Sequence, residues 1–145
     1  MSYWDTSCLV KLYVAEPDSA TFESHALHTP EILSSEITRF ELQATLRRKE
    51  AKNELATGTA NTLYQLFESS VRNGEIRLVS FDVIRTEFET LLEHLYGAAL
   101  PMLRTLDAIH LATARTINEP EIAATDTRLR ETAAICGFRL YPPLC

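Results

Sequence analysis

The chain has 145 residues, of which 46% are apolar, enough for a single domain spanning 1–145 with one real core. Its formal charge of -6 excludes a surface that grips nucleic acid chiefly through a bulk positive field, although carboxylates gathered in one pocket would give the same sum. Cys8, Cys136 and Cys145 have no C-x-x-C spacing and point to neither a disulfide framework nor a zinc site, no long apolar run is present, and the Met1–Asp5 start lacks the basic residues of a signal peptide, so a cytoplasmic protein without a membrane segment is expected.

Tyr3-Trp4-Asp5 reads as a short strand ending on a carboxylate, a position where ligands bind in open α/β sheets. An Asp capping the next turn, through Thr6 and Ser7, explains the same residue. Glu16-Pro17-Asp18-Ser19 predicts the start of a structural helix running through Phe22 towards Leu27. Thr29-Pro30 then breaks the chain, Glu31-Ile32-Leu33 is a short strand, and Ser34-Ser35 supply caps for a helix through about Lys49. On that helix Ile37, Phe40 and Ala44 form an i, i+3, i+7 stripe that is expected to face the core, and Glu41 falls within it. A glutamate there needs something to bind it. Leu42 and Leu46 lie on the opposite side, where either the following helix or another subunit covers them, the following helix being the expectation. Arg39, Arg47, Arg48, Lys49 and Lys52 make this the most basic segment, either a solvated face or a set of phosphate contacts.

A helix is predicted from Glu54 to about Val71, stopped by Asn73-Gly74, and Ile76-Arg77-Leu78-Val79 reads as a strand. Asp82 is placed as the cap of a helix carrying Ile84, Phe88, Leu91, Leu92 and Leu95, closed by Gly97 and Pro101. This middle third asks for packing rather than chemistry. The stretch from Thr105 to Ala114 follows, a helix apolar on almost every side with Thr105 as N-cap and Asp107 in its first turn. Helix-dipole support accounts for an acid there, yet Leu103, Leu111 and Ala114 share its flank, so the charge needs a partner, either a basic residue or a metal ion. Glu121–Thr125 predicts a small-residue strand ending at Asp126, which also suits an N-cap for the next helix, with Leu129, Ala133 and Cys136 inward and Gly137 at its end. Phe138–Tyr141 forms a last strand.

Alternating strands and helices, with paired helices at two crossings, predict an α/β sandwich around a short parallel sheet. In such a sheet Asp5, Glu41, Asp107 and Asp126 all fall at one edge. Four carboxylates gathered there stay ionised only with cations between them. An all-oxygen set suits magnesium or manganese better than zinc, and metal-activated water beside a phosphate is the arrangement for phosphodiester hydrolysis.

Trp4-Asp5-Thr6-Ser7 with Leu9–Tyr13, Ser34-Ser35 before Glu41 with Leu46-Arg47-Arg48, the Leu103–Ala114 segment, and Thr125–Leu129 with Gly137 beyond together resemble a PIN domain of the VapC toxin type, over essentially the whole chain. The resemblance implies a PIN-like three-layer α/β/α sandwich and a Mg2+- or Mn2+-dependent endoribonuclease. It also implies the toxin half of a toxin–antitoxin pair, usually a homodimer, silenced by a small antitoxin. It makes Asp5, Glu41, Asp107 and Asp126 the acidic quartet, with Asp5 and Asp107 as direct metal ligands and Glu41 and Asp126 as outer or second-metal ligands. Thr6, Ser7 and Thr125 become hydrogen-bonding support and His110 a packed or hydrogen-bonded structural residue, while the clustering of Arg47 and Arg48 beside Glu41 on its helix makes them the expected contacts to the RNA backbone. A non-catalytic PIN-fold binding module and an RNA-processing nuclease outside toxin–antitoxin systems are the alternatives. An aspartyl-nucleophile phosphatase is disfavoured because Ser7 stands where its second Asp would, and a phosphate-accepting signalling domain because no lysine follows Lys52.

Overall fold

Five strands, β1 (Ser2–Trp4), β2 (Ile32–Ser35), β3 (Ile76–Val79), β4 (Glu121–Ala123) and β5 (Arg139–Tyr141), form one parallel sheet in the order β3-β2-β1-β4-β5. The computed structural model describes residues 1–98 and 103–144; Pro101 and Cys145, singled out above, lie outside the described residues. Both faces of the sheet are covered, which is why successive residues of its inner strands are buried rather than alternate ones. Neighbouring residues divide between the two faces: Trp4, Ile32 and Ala123 enter one core, and Tyr3, Leu33 and Ile122 the other.

The helices α1 (Thr6–Val10), α2 (Ser19–Leu27), α3 (Thr38–Ala51) and α4 (Thr59–Arg72) build the first core through Leu9, Phe22, Leu42, Leu46 and Phe67. On the other side α5 (Arg85–Gly97), α6 (Thr105–Thr116) and α7 (Thr127–Ile135) supply Leu91, Leu95, Leu111 and Leu129. The expected three-layer α/β/α sandwich is what forms. Each fully buried large side chain, such as Phe67 or Leu46, contributes about 1.5–3 kcal/mol from burial alone.

Several boundaries differ from expectation for identifiable reasons. The fourth helix begins at Thr59 rather than Glu54, because Gly58 turns the chain with φ of +86°, a conformation that favours glycine. Ser80 rather than Asp82 provides the cap near the fifth helix: its hydroxyl accepts from the Asp82 N–H and starts a single 3-10 turn over Phe81–Val83, after which α5 runs on through Gly97. Thr105 is the first residue of α6, with Arg104 in the N-cap position. The largest correction concerns α3. Its core face is Thr38, Leu42 and Leu46, all fully buried, while Phe40 is 63% exposed. Leu42 and Leu46 pack in one core with Phe67 of α4, so the expected cover by the following helix holds. The Ile37–Phe40–Ala44 stripe therefore does not face the core, and neither does Glu41.

Candidate active site

The strand order reverses at β1. The chain leaves β1 towards β2 on one side, and β4 reaches it from the other. At such a point the flanking helices diverge beyond the carboxyl ends of the strands and leave a crevice. Asp5 directly follows β1, and Asp126 follows β4 by three residues. A cleft of about 610 Å³ opens there, lined by Asp5, Glu41, Asp107 and Asp126 together with Thr6, Ser7, Thr125 and Arg48. Arg47 does not line it; its guanidinium is 60% exposed and lies 3.7 Å from Glu50.

Each acid is placed by a distinct local device. Asp5 is the N-cap of α1: its Oδ1 accepts from the Cys8 N–H at 3.0 Å, and the Ser7 hydroxyl reaches both of its oxygens at 2.8 and 2.9 Å. Ser7 also lies 2.8 Å from the Thr125 hydroxyl, tying the ends of β1 and β4 together. Asp126 caps α7, with Oδ1 accepting from the Leu129 N–H at 3.0 Å. The capping roles anticipated for both residues are real, and both residues still face the cleft. Asp107 stands in the first turn of α6, where the helix dipole favours it, without a basic partner among the described residues.

Glu41 is held from beneath. Its Oε1 accepts from the Thr6 hydroxyl at 2.8 Å and lies 2.6 Å from His110 Nε2, while His110 Nδ1 lies 2.7 Å from the Tyr3 hydroxyl. His110 is 2% exposed and Tyr3 fully buried. A proton on Nε2 lets His110 donate to Glu41, with the Tyr3 hydroxyl against Nδ1. Oε2 of Glu41 has no hydrogen bond among the described residues. His110 is the hydrogen-bonded histidine expected from sequence, but its partners were not legible there, since Tyr3 and Glu41 lie 107 and 69 residues away.

The electrostatics are those of crowded acids. Burial raises the Asp5 carboxyl above the usual range, against the opposing charge of His110 and the hydrogen bonds from Cys8 and Ser7. Burial also raises Asp107, and the charges of Asp126, Asp5 and Glu41 add to it. Burial acts the same way on Glu41, but the His110 hydrogen bond and charge, with Thr6, outweigh it and leave Glu41 below its ordinary value. An all-oxygen set in which the other three acids raise Asp107 fits a hard divalent cation. Among the described residues no three acid, histidine or cysteine side chains make a ready cage.

Comparison with known proteins follows the same lines. The PIN-domain family model matches residues 2–135. The ribonuclease VapC46 of Mycobacterium tuberculosis is 31% identical over 97% of this chain and 96% of its own length. Among solved structures, FitAcB from Neisseria gonorrhoeae has a TM-score of 0.73 at 18% identity, covering 97% of this chain and 96% of that one. VapC20 of Mycobacterium tuberculosis, described as a sarcin-ricin loop cleaving toxin, has a TM-score of 0.67 at 17% identity, covering 91% of this chain and 95% of that one. These two structures speak for the fold alone.

Proposed function

This chain belongs to the PIN-domain family, and from that premise we propose that it is a metal-dependent endoribonuclease, the toxin of a VapC-type toxin–antitoxin pair that hydrolyses RNA phosphodiester bonds. The observation that carries this is the convergence of Asp5, Glu41, Asp107 and Asp126 from four separate segments into one cleft at the switch point of the sheet. Asp5 and Asp107 are the direct ligands for Mg2+ or Mn2+, with Glu41 and Asp126 acting through water or on a second ion. When bound, the ion supplies positive charge for the phosphate and a more acidic water for attack.

The protein's own groups prepare that chemistry. Ser7 fixes the Asp5 carboxylate at both oxygens, and its contact with Thr125 sets the distance between the two strand ends. Thr6 and His110 occupy Oε1 of Glu41, which restricts the rotation of that carboxylate and leaves Oε2 to orient water. Asp126 is likewise held by one oxygen only. Arg48 is the contact for the RNA backbone. A small antitoxin that closes the cleft and a second copy of the chain are the partners that accompany such a toxin. No helix among the described residues is long and apolar enough to cross a membrane.

Incubating the purified protein with RNA and Mg2+ or Mn2+ tests this. Cleavage that disappears in chelator and in Asp107→Asn is expected. Cleavage that persists in Asp107→Asn would overturn the assigned site.

A further inference from the structure

We propose that this cleft binds single-stranded RNA chiefly by stacking one unpaired base on Phe40, with Arg48 meeting a phosphate farther along α3; this rests on the ribonuclease function argued above. The α3 face turned to the cleft carries Ile37, Phe40, Glu41, Ala44 and Arg48. None of these serves the core, because Leu42 and Leu46 do so on the other side at 0% exposure. Packing gives no reason for a phenylalanine 63% exposed at this place. On the opposite wall α6 repeats the arrangement: Leu106, 43% exposed, directly precedes Asp107, just as Phe40 precedes Glu41. α3 and α6 thus each bring an exposed apolar side chain beside the acid they carry.

The charges say what occupies this wall. The chain carries -6 overall, and Arg48 is the one Lys or Arg side chain that lines the cleft among the described residues. Its Nη2 donates to the Thr45 hydroxyl at 2.9 Å, and it makes no ion pair with an acid among the described residues. One phosphate neutralised on a single strand gives a salt slope of only about -0.7, a small return against an acidic surface. Stacking is indifferent to net charge and is worth about 5- to 150-fold in affinity per base. Phe40 and Arg48 are eight residues apart on one helix, about 12 Å along its axis. A short oligonucleotide running outward from the acids spans that distance, whereas a paired base presents no free face to Phe40.

The test is fluorescence anisotropy with a labelled mixed-sequence single-stranded RNA, and with the same strand annealed to its complement, in Mg2+ and in the uncleaving Asp107→Asn background. Phe40→Ala is expected to weaken single-strand binding by about 5- to 150-fold. Phe40→Trp keeps the affinity, and Phe40→Leu loses as much as Phe40→Ala. Arg48→Ala flattens the salt slope by about 0.7, and Arg47→Ala leaves it unchanged. Because Phe40 is exposed, these variants melt like their parent. Equal binding by Phe40→Leu and the parent, or equal binding of duplex and single strand, overturns stacking. An unchanged affinity in Phe40→Ala overturns it too and gives the face to a protein partner. If the wild type does not cleave RNA and the parent does not bind it, the ribonuclease function itself fails, an outcome distinct from a parent that binds equally well without Phe40.

Discussion

Replacing His110 by phenylalanine keeps a ring in a buried space and removes both ring nitrogens. Tyr3, fully buried, loses its closest partner at 2.7 Å, a loss that costs about 1–3 kcal/mol. Glu41 loses the 2.6 Å bond to Nε2, a charge-assisted interaction of about 1.5–3 kcal/mol. Its side chain is 23% exposed, so water recovers part of that second loss. The sum is about 2–5 kcal/mol, or a fall in Tm of roughly 5–15 °C for a domain of this size. The two parts separate by pH. Glu41 is held below its ordinary value of 4.5, so its contribution is fully present above that value and is lost as the pH falls through the lowered folded one. Burial holds the Tyr3 hydroxyl well above its ordinary value, so that hydroxyl does not titrate in that range. Urea unfolding in chelator should therefore show the full gap between wild type and His110→Phe at pH 7 and a smaller gap in acid below about 4.5. A gap that is the same at both pH values, or no gap at all, would refute the His110–Glu41 linkage.

Asp107→Asn should melt no lower than wild type in chelator at pH 7, and should lose any advantage in acid. Its folded carboxyl is raised by burial and by Asp126, Asp5 and Glu41, so ionised Asp107 costs stability at neutral pH, and that cost fades once the group is protonated. Adding Mg2+ should raise the Tm of wild type and leave Asp107→Asn unmoved, since only a folded site that binds the ion is stabilised by it. Asp126→Asn keeps a good N-cap and removes the charge, so it should lose cleavage with little change in stability, whereas Asp126→Ala should also cost about 1 kcal/mol; equal activity in Asp126→Asn and wild type would leave Asp126 a cap alone. Ser7→Ala releases both Asp5 oxygens and the Thr125 hydroxyl, and its cleavage rate should fall with a stability change of about 0.5–1.5 kcal/mol, measured by single-turnover kinetics beside thermal melts.

The layers of the fold were legible because strand and helix alternate with clear punctuation, and Gly137, Asn73-Gly74 and Thr29-Pro30 fall between elements as expected. The orientation of α3 was not. Its sequence holds two apolar stripes, Ile37–Phe40–Ala44 and Leu42–Leu46, and periodicity alone does not say which one meets the core. Burial decided it, since Phe67 packs into the same core as Leu42 and Leu46. The Tyr3–His110–Glu41 chain was out of reach for another reason: its bonds join residues from β1, α6 and α3, and no local pattern encodes a contact across three elements.

Two of the four acids have an ordinary structural duty, and this is why Asp5 and Asp126 announce no site when taken singly. Asp5 and Asp126 cap helices, and an N-cap needs only one carboxylate oxygen; Asp5 spends Oδ1 on Cys8, and Asp126 spends Oδ1 on Leu129. Glu41 divides its oxygens in the same way, with Oε1 given to Thr6 and His110. Structure thus fixes Glu41 and Asp126 by one oxygen each and leaves the other in the cleft, while Asp5 is held at both oxygens by Ser7 and still lines the cleft. Asp107 has no such anchor, and it is the acid whose pKa the other three raise together. The caps at Asp5 and Asp126 and the cleft that gathers the acids are therefore one arrangement, produced where strands β1 and β4 end side by side and the helices after them must begin.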